Sequence, residues 1–278
     1  MKVLVTGSAG MLGHDLLEVL SLKGWDTFEL DRHNGDVTDL NGVRRIVKKF
    51  RPDTVVHCAA FTDVDGCEKD SDEAFKVNGL GTKNVAISCR EVDASMVYIS
   101  TDYVFDGEKK SPYDEIDKPN PINAYGRSKL LGEYYVQHLL NRFSIIRTSW
   151  LFGKNGKNFV GTILNLIKKE DTLKIVDDQV GSPTFSKDLA QRVGEVIEGE
   201  GYGIYHVTNS GTCSWYEFAA KIVELADVQG KTVEPTDSET FKRPAKRPKN
   251  SILENRLLKL EGYGLLRSWE EALKAYLK

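Results

Sequence analysis

The sequence predicts an α/β protein: a doubly wound parallel sheet with a smaller, mixed α/β C-terminal unit. Over the first 150 residues, short β-branched apolar runs alternate with stretches of helical apolar spacing, as in a parallel sheet covered by helices on both faces. The first run, Lys2 to Thr6, leads directly into the glycine turn GSAGMLG and then a helix from Met11 to about Leu22. Beyond Gly153 the alternation loosens. The predicted boundaries are therefore 1–150 with roughly 185–208 for the sheet unit, and roughly 151–184 with 209–278 for the second unit.

The glycine turn is the sheet's most informative loop. Gly7, Gly10 and Gly13 recur every third residue. Gly7 permits a tight turn, Gly10 lets backbone amides approach a pyrophosphate, and Gly13 lets the helix pack closely on the sheet. With Met11 and Leu12 they suit the first wall of a dinucleotide site, and by themselves also suit a plain glycine turn. A second strand, about Thr27 to Leu30, stops at Asp31-Arg32, some 18 residues after the last glycine. There a carboxylate accepts from an adenosine ribose and an arginine pairs with a 2′-phosphate, so the sequence leaves NADH and NADPH both open. Asp36-Val37 suits an adenine amino group and ring face, and equally suits a plain turn; Asp39 is placed to cap a helix ending at Phe50.

The third strand, Thr54 to His57, ends at Ala59-Ala60, small enough for a cofactor to lie against the backbone. The acidic loop after it runs from Thr62 to Glu68, without His or Cys at ligand spacing, and predicts no metal site. A helix is expected over about Asp72 to Val92, with Asn78 on one face. The fourth strand, Ser95 to Ser100, delivers Thr101, Asp102 and Tyr103 to the sheet's carboxyl edge, where ligands of open parallel sheets bind. Thr101, with Ser100 as alternative, can hydrogen-bond a substrate carbonyl.

Two prolines, Pro119 and Pro121, end what precedes the next helix, and Asn123 can cap it. On that helix Tyr125 and Lys129 stand four residues apart and share a face. Bringing a phenol from its ordinary value of roughly 10 to about 7 takes roughly 4 kcal/mol, much of which one adjacent ammonium can supply. A fifth strand, Phe143 to Arg147, precedes Trp150, which suits either core packing or a flat ligand. Then come a helix to about Lys169, a strand near Leu173 to Val176, the turn DDQVGSPT, a helix from Lys187 to Ile197, and a strand from Gly203 to Val207. Helices over Ser214 to Ala226 and Ser268 to Leu277 flank the loop FKRPAKRPKNS, whose Arg247 suits either solvent or an anionic ligand group.

Composition excludes several classes. At 278 residues, 40% hydrophobic and 28% charged, the chain is an ordinary globular protein. A net charge of −3 argues against nucleic acid. No apolar run is long enough for a membrane span. Four scattered cysteines and the lack of a signal peptide before Val3 predict a cytoplasmic setting.

The chain resembles the extended short-chain dehydrogenases/reductases, and within them the dTDP-4-dehydrorhamnose reductase family. STDYVFDG at Ser100 and YGRSK at Tyr125 carry the broader resemblance. TSWLFG at Thr148, DDQVGSPT at Asp177, YHVTNSGTCSWYEFA at Tyr205 and RPKNSILEN at Arg247 carry the narrower one and span nearly the whole chain. Met11 departs from it, where the family commonly has glutamine.

The resemblance implies reduction of the 4-keto group of a dTDP-6-deoxyhexose by NADPH or NADH. Tyr125 would donate the proton, Lys129 would hold the nicotinamide ribose and tune Tyr125, and Thr101 would polarise the ketone. In this direction Tyr125 starts neutral, so its pKa is expected to be lowered part-way. Gly7 to Gly13, Asp31, Arg32, Asp36, Val37, Ala59, Ala60 and Thr62 would line the cofactor site. Asp102, Tyr103, Trp150, Ser182, Thr184 and Arg247 would face the sugar nucleotide. Magnesium occurs in some members, without ligands assignable here, and a homodimer is compatible with the resemblance. The related dehydratases need an Asp-Glu pair after the threonine, where this chain has Asp102-Tyr103. A non-catalytic regulatory subunit similar to that of methionine adenosyltransferase, and a reductase or epimerase of another nucleotide sugar, are the alternatives.

Overall fold

A computed structural model describes all residues, 1–278. Its frame is a six-stranded, all-parallel sheet built from β1 (Lys2–Thr6), β2 (Asp26–Leu30), β3 (Thr54–His57), β4 (Ser95–Thr101), β5 (Phe143–Thr148) and a sixth strand, Gly203–His206. The strand order is sixth-β5-β4-β3-β1-β2. The chain leaves β1 toward β2 on one side and resumes with β3 on the other. That reversal opens a crevice at the carboxyl ends of β1 and β3.

Helices cover both faces, as the apolar spacing requires. On one face α1 (Met11–Leu22) packs beside a later helix, Ser186–Glu198. Leu16, Leu20, Leu189 and Val193 form a core there with Val3 and Val5. Each fully buried leucine contributes about 1.5–3 kcal/mol relative to exposure. On the other face lies α2 (Leu40–Phe50), capped by the Asp39 side chain on the Asn41 amide. Two short helices, α3 (Val64–Lys69) and α4 (Ser71–Ala74), lead to α5 (Thr82–Val92), and α6 (Ala124–Leu139) completes this face. Val43, Val85, Cys89 and Val136 close this layer against Tyr98.

The helix expected over Asp72 to Val92 is not continuous α. Residues Phe75–Gly81 form a π-helical segment. The wider turn brings Asn78, fully buried, to the backbone of Phe61, with Oδ1 accepting from its N–H at 2.7 Å and Nδ2 donating to its carbonyl at 3.0 Å. Nδ2 also donates to Ser128 Oγ of α6 at 2.9 Å. π-Segments recur at functional sites, and this one ties the loop after β3 to α6.

The remainder is built from β6 (Leu151–Phe152), α7 (Phe159–Leu166), β7 (Thr172–Val176), β8 (Val180–Gly181), β9 (Thr184–Phe185), α8 (Ser186–Glu198), β10 (Gly203–His206), β11 (Cys213–Ser214), α9 (Trp215–Leu225), β12 (Thr232–Thr236), α10 (Arg256–Leu260) and α11 (Trp269–Leu277). α7, α9 and α11 enclose a third core around Phe152, Phe218 and Trp269. α8 and β10 belong to the large sheet's layers, and Leu258 of α10 packs into the core beneath α1. The loop FKRPAKRPKNS carries no helix or strand. No helix is long and apolar enough to cross a membrane, and all four cysteines are free thiols.

Candidate active site

Above the carboxyl ends of β1, β3, β4 and β5 lies a cavity of about 1100 Å³. Its first wall is the glycine turn. Gly7 has φ +66°, and a Cβ there would stand 2.7 Å from the Ala59 amide nitrogen. At Gly13 a Cβ would strike the Gly7 carbonyl and the Ser8 backbone. Gly10 caps α1 without a side chain, and the amides of Met11 and Leu12 find no acceptor in the chain. Those amides, at the positive end of a helix dipole and facing a large cavity, fit a pyrophosphate. Met11 lines the cavity and packs under Gly153 and Gly156.

The rim beside β2 holds Asp31, Arg32, Asp36 and Val37. Asp31 Oδ1 accepts from the His33 amide at 2.8 Å. The exposed Arg32 side chain makes no hydrogen bond or ion pair within the chain. Asp36 accepts from the Thr38 amide at 2.8 Å, which holds its carboxyl below the ordinary value. Ala59, Ala60 and Thr62 line the floor.

Thr101, Tyr125 and Lys129 meet at the inner wall. Asn123 caps α6 through the Gly126 amide at 2.8 Å, so Tyr125 lies in the first turn at the crevice. Gly126 is required because a Cβ would overlap the Tyr103 carbonyl. Lys129, 2% exposed, donates from Nζ to the Ile99 carbonyl at 2.6 Å and lies 4.2 Å from the Tyr98 ring centroid. Thr101 Oγ1 donates to Asp102 Oδ1 at 2.9 Å and accepts from the Tyr103 amide at 3.1 Å.

The electrostatics correct one expectation. Tyr125 is pushed above the ordinary phenol value, not below it: burial dominates, the Asp102 charge adds to it, and the Thr101 hydroxyl only partly opposes it. The Lys129 ammonium is engaged by a backbone carbonyl, and burial brings its own pKa down to about 7. Spacing along a helix places two groups on one face, but the dielectric around them is set by tertiary packing. Tyr125 therefore holds its proton throughout the neutral range.

Asp102, 3% exposed, is pushed up to about 6 by burial, against hydrogen bonds that include Ser149 Oγ at 3.0 Å. Cys58 lines the same cavity, but burial lifts its thiol to about 12, which leaves it without nucleophilic character at neutral pH. Beneath the site Arg147 pairs with Glu133 through Nε at 2.9 Å and Nη2 at 2.7 Å, and Ser100 Oγ donates to Glu133 at 2.6 Å. The Ser100 hydroxyl is thus committed to Glu133, while Thr101 faces Tyr125.

Comparison with known proteins shows the family. The family described as "RmlD substrate binding domain" matches residues 1–278. The chain belongs to that family. It is 42% identical to the spore coat polysaccharide biosynthesis protein SpsK of Bacillus subtilis, over 100% of this chain and 97% of that protein. A dTDP-4-dehydrorhamnose reductase of Streptomyces griseus is 41% identical, over 97% and 91%. The crystal structure of dTDP-4-dehydrorhamnose reductase from Bacillus anthracis in complex with NADP superposes with a TM-score of 0.96, at 44% identity and covering 99% and 98% of the two chains.

Within this family fold, three expected residues stand apart from the cavity lining. Ser182 and Thr184 are buried, and their turn supports Trp150: the Thr184 amide donates to the Trp150 carbonyl at 3.3 Å. Arg247 donates to Asp65 at 2.9 Å, and Arg243 shares that carboxylate at 3.3 Å. Asp65 is held down to about 2 by those guanidinium and Ala245 amide bonds, which outweigh its burial. Asn123 Nδ2 also donates to the Lys246 carbonyl at 2.8 Å, so the cap of the Tyr125 helix grips the same basic loop. No group of three or more His, Cys, Asp or Glu is gathered as metal ligands would be.

Two cavity residues were not singled out from the sequence, although Trp215 lies within the YHVTNSGTCSWYEFA motif. Lys157 reaches the cavity from the loop over Met11, and Trp215 enters it from the first turn of α9.

Proposed function

We propose that the protein reduces the 4-keto group of dTDP-4-dehydro-L-rhamnose to dTDP-L-rhamnose, with NADPH or NADH as reductant. The observation that carries this reading is the meeting of Thr101, Tyr125 and Lys129 in one wall of a cavity that begins at a glycine turn. The names of relatives in the same family supply the substrate. A bound reduced nicotinamide would supply the hydride for C4. Gly7 to Gly13 and the free α1 amides would hold its pyrophosphate, and Lys129, fixed on Ile99, its nicotinamide ribose. Tyr125, neutral and buried, would give its proton to the C4 oxygen as negative charge develops there. Thr101 would turn its hydroxyl from Asp102 toward the same oxygen. The sheet unit, 1–150 with roughly 185–208, would hold the cofactor. The second unit, roughly 151–184 and 209–278, would hold the sugar nucleotide, with the hexose near Trp150 at the junction of the two units.

NADPH is the favoured cofactor, because Arg32 stands unpaired at the rim whereas Asp31 already accepts from its own loop. Arg32→Ala is expected to raise KM for NADPH about tenfold and KM for NADH little. Equal losses in steady-state kinetics would remove Arg32 from 2′-phosphate recognition. The reading as a whole is tested by mixing the purified protein with NADPH, or NADH, and the keto sugar nucleotide made in situ. Loss of reduced-cofactor absorbance that depends on the sugar is expected; cofactor binding without such loss would favour a non-catalytic role.

A further inference from the structure

We propose that Trp215 is a positioning residue, whose stacking holds Trp150 as an indole wall for the hexose ring, not for the thymine. The proposal rests on the sugar-nucleotide reading above. Trp150 lies two residues beyond Thr148, the register partner of Thr101 in the β4–β5 pair. Its neighbour Ser149 bonds Asp102, so the indole starts beside the reacting centre. A hexose whose C4 oxygen meets Tyr125 and Thr101 must lie within reach of that ring. On the sugar-nucleotide reading, the diphosphate and base would extend away from it.

Trp150 has φ +47°, a left-handed conformation that a bulky side chain keeps only where its surroundings impose it. Three contacts impose it. The Thr184 amide holds its carbonyl. Gly181 leaves room for the ring, since a Cβ there would stand 2.5 Å from Trp150 Cε2. Trp215 stacks on it with centroids 3.5 Å apart and planes 8° from parallel, backed by Phe159 at 4.5 Å.

Both indoles line the cavity and neither is fully buried. Core packing alone would not leave two stacked indoles facing an open cavity beside a catalytic wall. A flat, polarisable apolar surface suits the C–H face and methyl of a 6-deoxyhexose. The chain also spaces the pair: Ser214 caps α9 with a complete capping box, which fixes Trp215 at the helix's first position.

The test measures KM and kcat for the keto sugar nucleotide, and calorimetric Kd values for dTDP-L-rhamnose, dTDP and NADPH, in Trp215→Ala, Trp215→Phe and Gly181→Ala. Trp215→Ala is expected to raise KM and the dTDP-L-rhamnose Kd about tenfold, with the dTDP and NADPH values within about twofold. Trp215→Phe should recover most of the loss. Gly181→Ala should act in the same direction, because its methyl displaces the Trp150 ring. An unchanged product Kd in Trp215→Ala overturns the proposal, as does an equal loss for dTDP, which would assign the wall to the nucleotide. Parallel loss of NADPH in both Trp215→Ala and Trp215→Phe would mark fold damage and overturns it too. Wild-type turnover tests the functional reading separately: turnover with a flat variant-to-wild-type ratio sinks only the role of Trp215.

Discussion

Tyr125→Phe is expected to lower kcat for ketone reduction by about a hundredfold or more, while the Kd for NADPH stays within about twofold. The variant removes one oxygen from a wall residue and leaves the glycine turn, the α1 amides and Lys129 in place. The loss should fall on kcat because the phenol's proton is needed only as charge develops on the ketone oxygen. Burial and the Asp102 charge hold Tyr125 protonated, so wild-type kcat should not decline through phenol ionisation as pH rises from 7 to about 9. Lys129 behaves differently. With its pKa down to about 7 it is charged below that value and loses charge above it, so capture of NADPH by the free protein should weaken as pH rises through about 7. Stopped-flow binding and a kcat profile against pH separate these two groups. Turnover by Tyr125→Phe at the wild-type rate would remove Tyr125 as the acid.

The second large effect is expected beneath the site. Arg147 and Glu133, with side chains 2% and 0% exposed, form a bidentate pair with no solvent to replace either partner. Glu133→Ala leaves a guanidinium buried and unpaired and is expected to cost about 3–5 kcal/mol in urea unfolding. Replacing both residues by methionine should recover much of that loss, because the pair's attraction is largely offset by its desolvation. The pair also reaches the chemistry. Glu133 lies one helical turn beyond Lys129, and its charge is what chiefly opposes the burial-driven fall in the Lys129 pKa. Glu133→Gln should therefore move the Lys129 step in the binding profile below its wild-type pH. Lower stability with an unmoved profile would make Glu133 structural only.

What the sequence could reveal was whatever depends on local spacing. Glycines at 7 and 13, the caps Asp39 and Asn123, and the Tyr125–Lys129 spacing follow from backbone geometry within a few residues, and the structure places each as expected. Features set by distant partners escaped. Asp65 and Arg247 are 182 residues apart, and nothing near either announces the pair that draws Arg247 away from the cavity lining. The π-segment at Phe75–Gly81 inserts within a regular helical pattern, and nothing in the local spacing announces it. β12 contains Pro235, which argues against a strand in sequence terms, yet it pairs with β7 in a two-stranded edge where a missing donor is tolerated. Trp215 reads as one more aromatic on an amphipathic helix until its stacking on Trp150 is seen. The direction of the Tyr125 shift was missed for the same reason: burial, not helical spacing, decides it.

The most direct test of the central claim is the fate of the hydride. Reaction of the wild-type protein with reduced cofactor deuterated at the nicotinamide C4, and with the keto sugar nucleotide, should place deuterium at C4 of the hexose, read by NMR of the product. Product carrying deuterium at that carbon, and none when Tyr125→Phe is used over the same interval, is the expected result. Deuterium at another carbon, or a converted sugar without deuterium, would contradict net ketone reduction at C4.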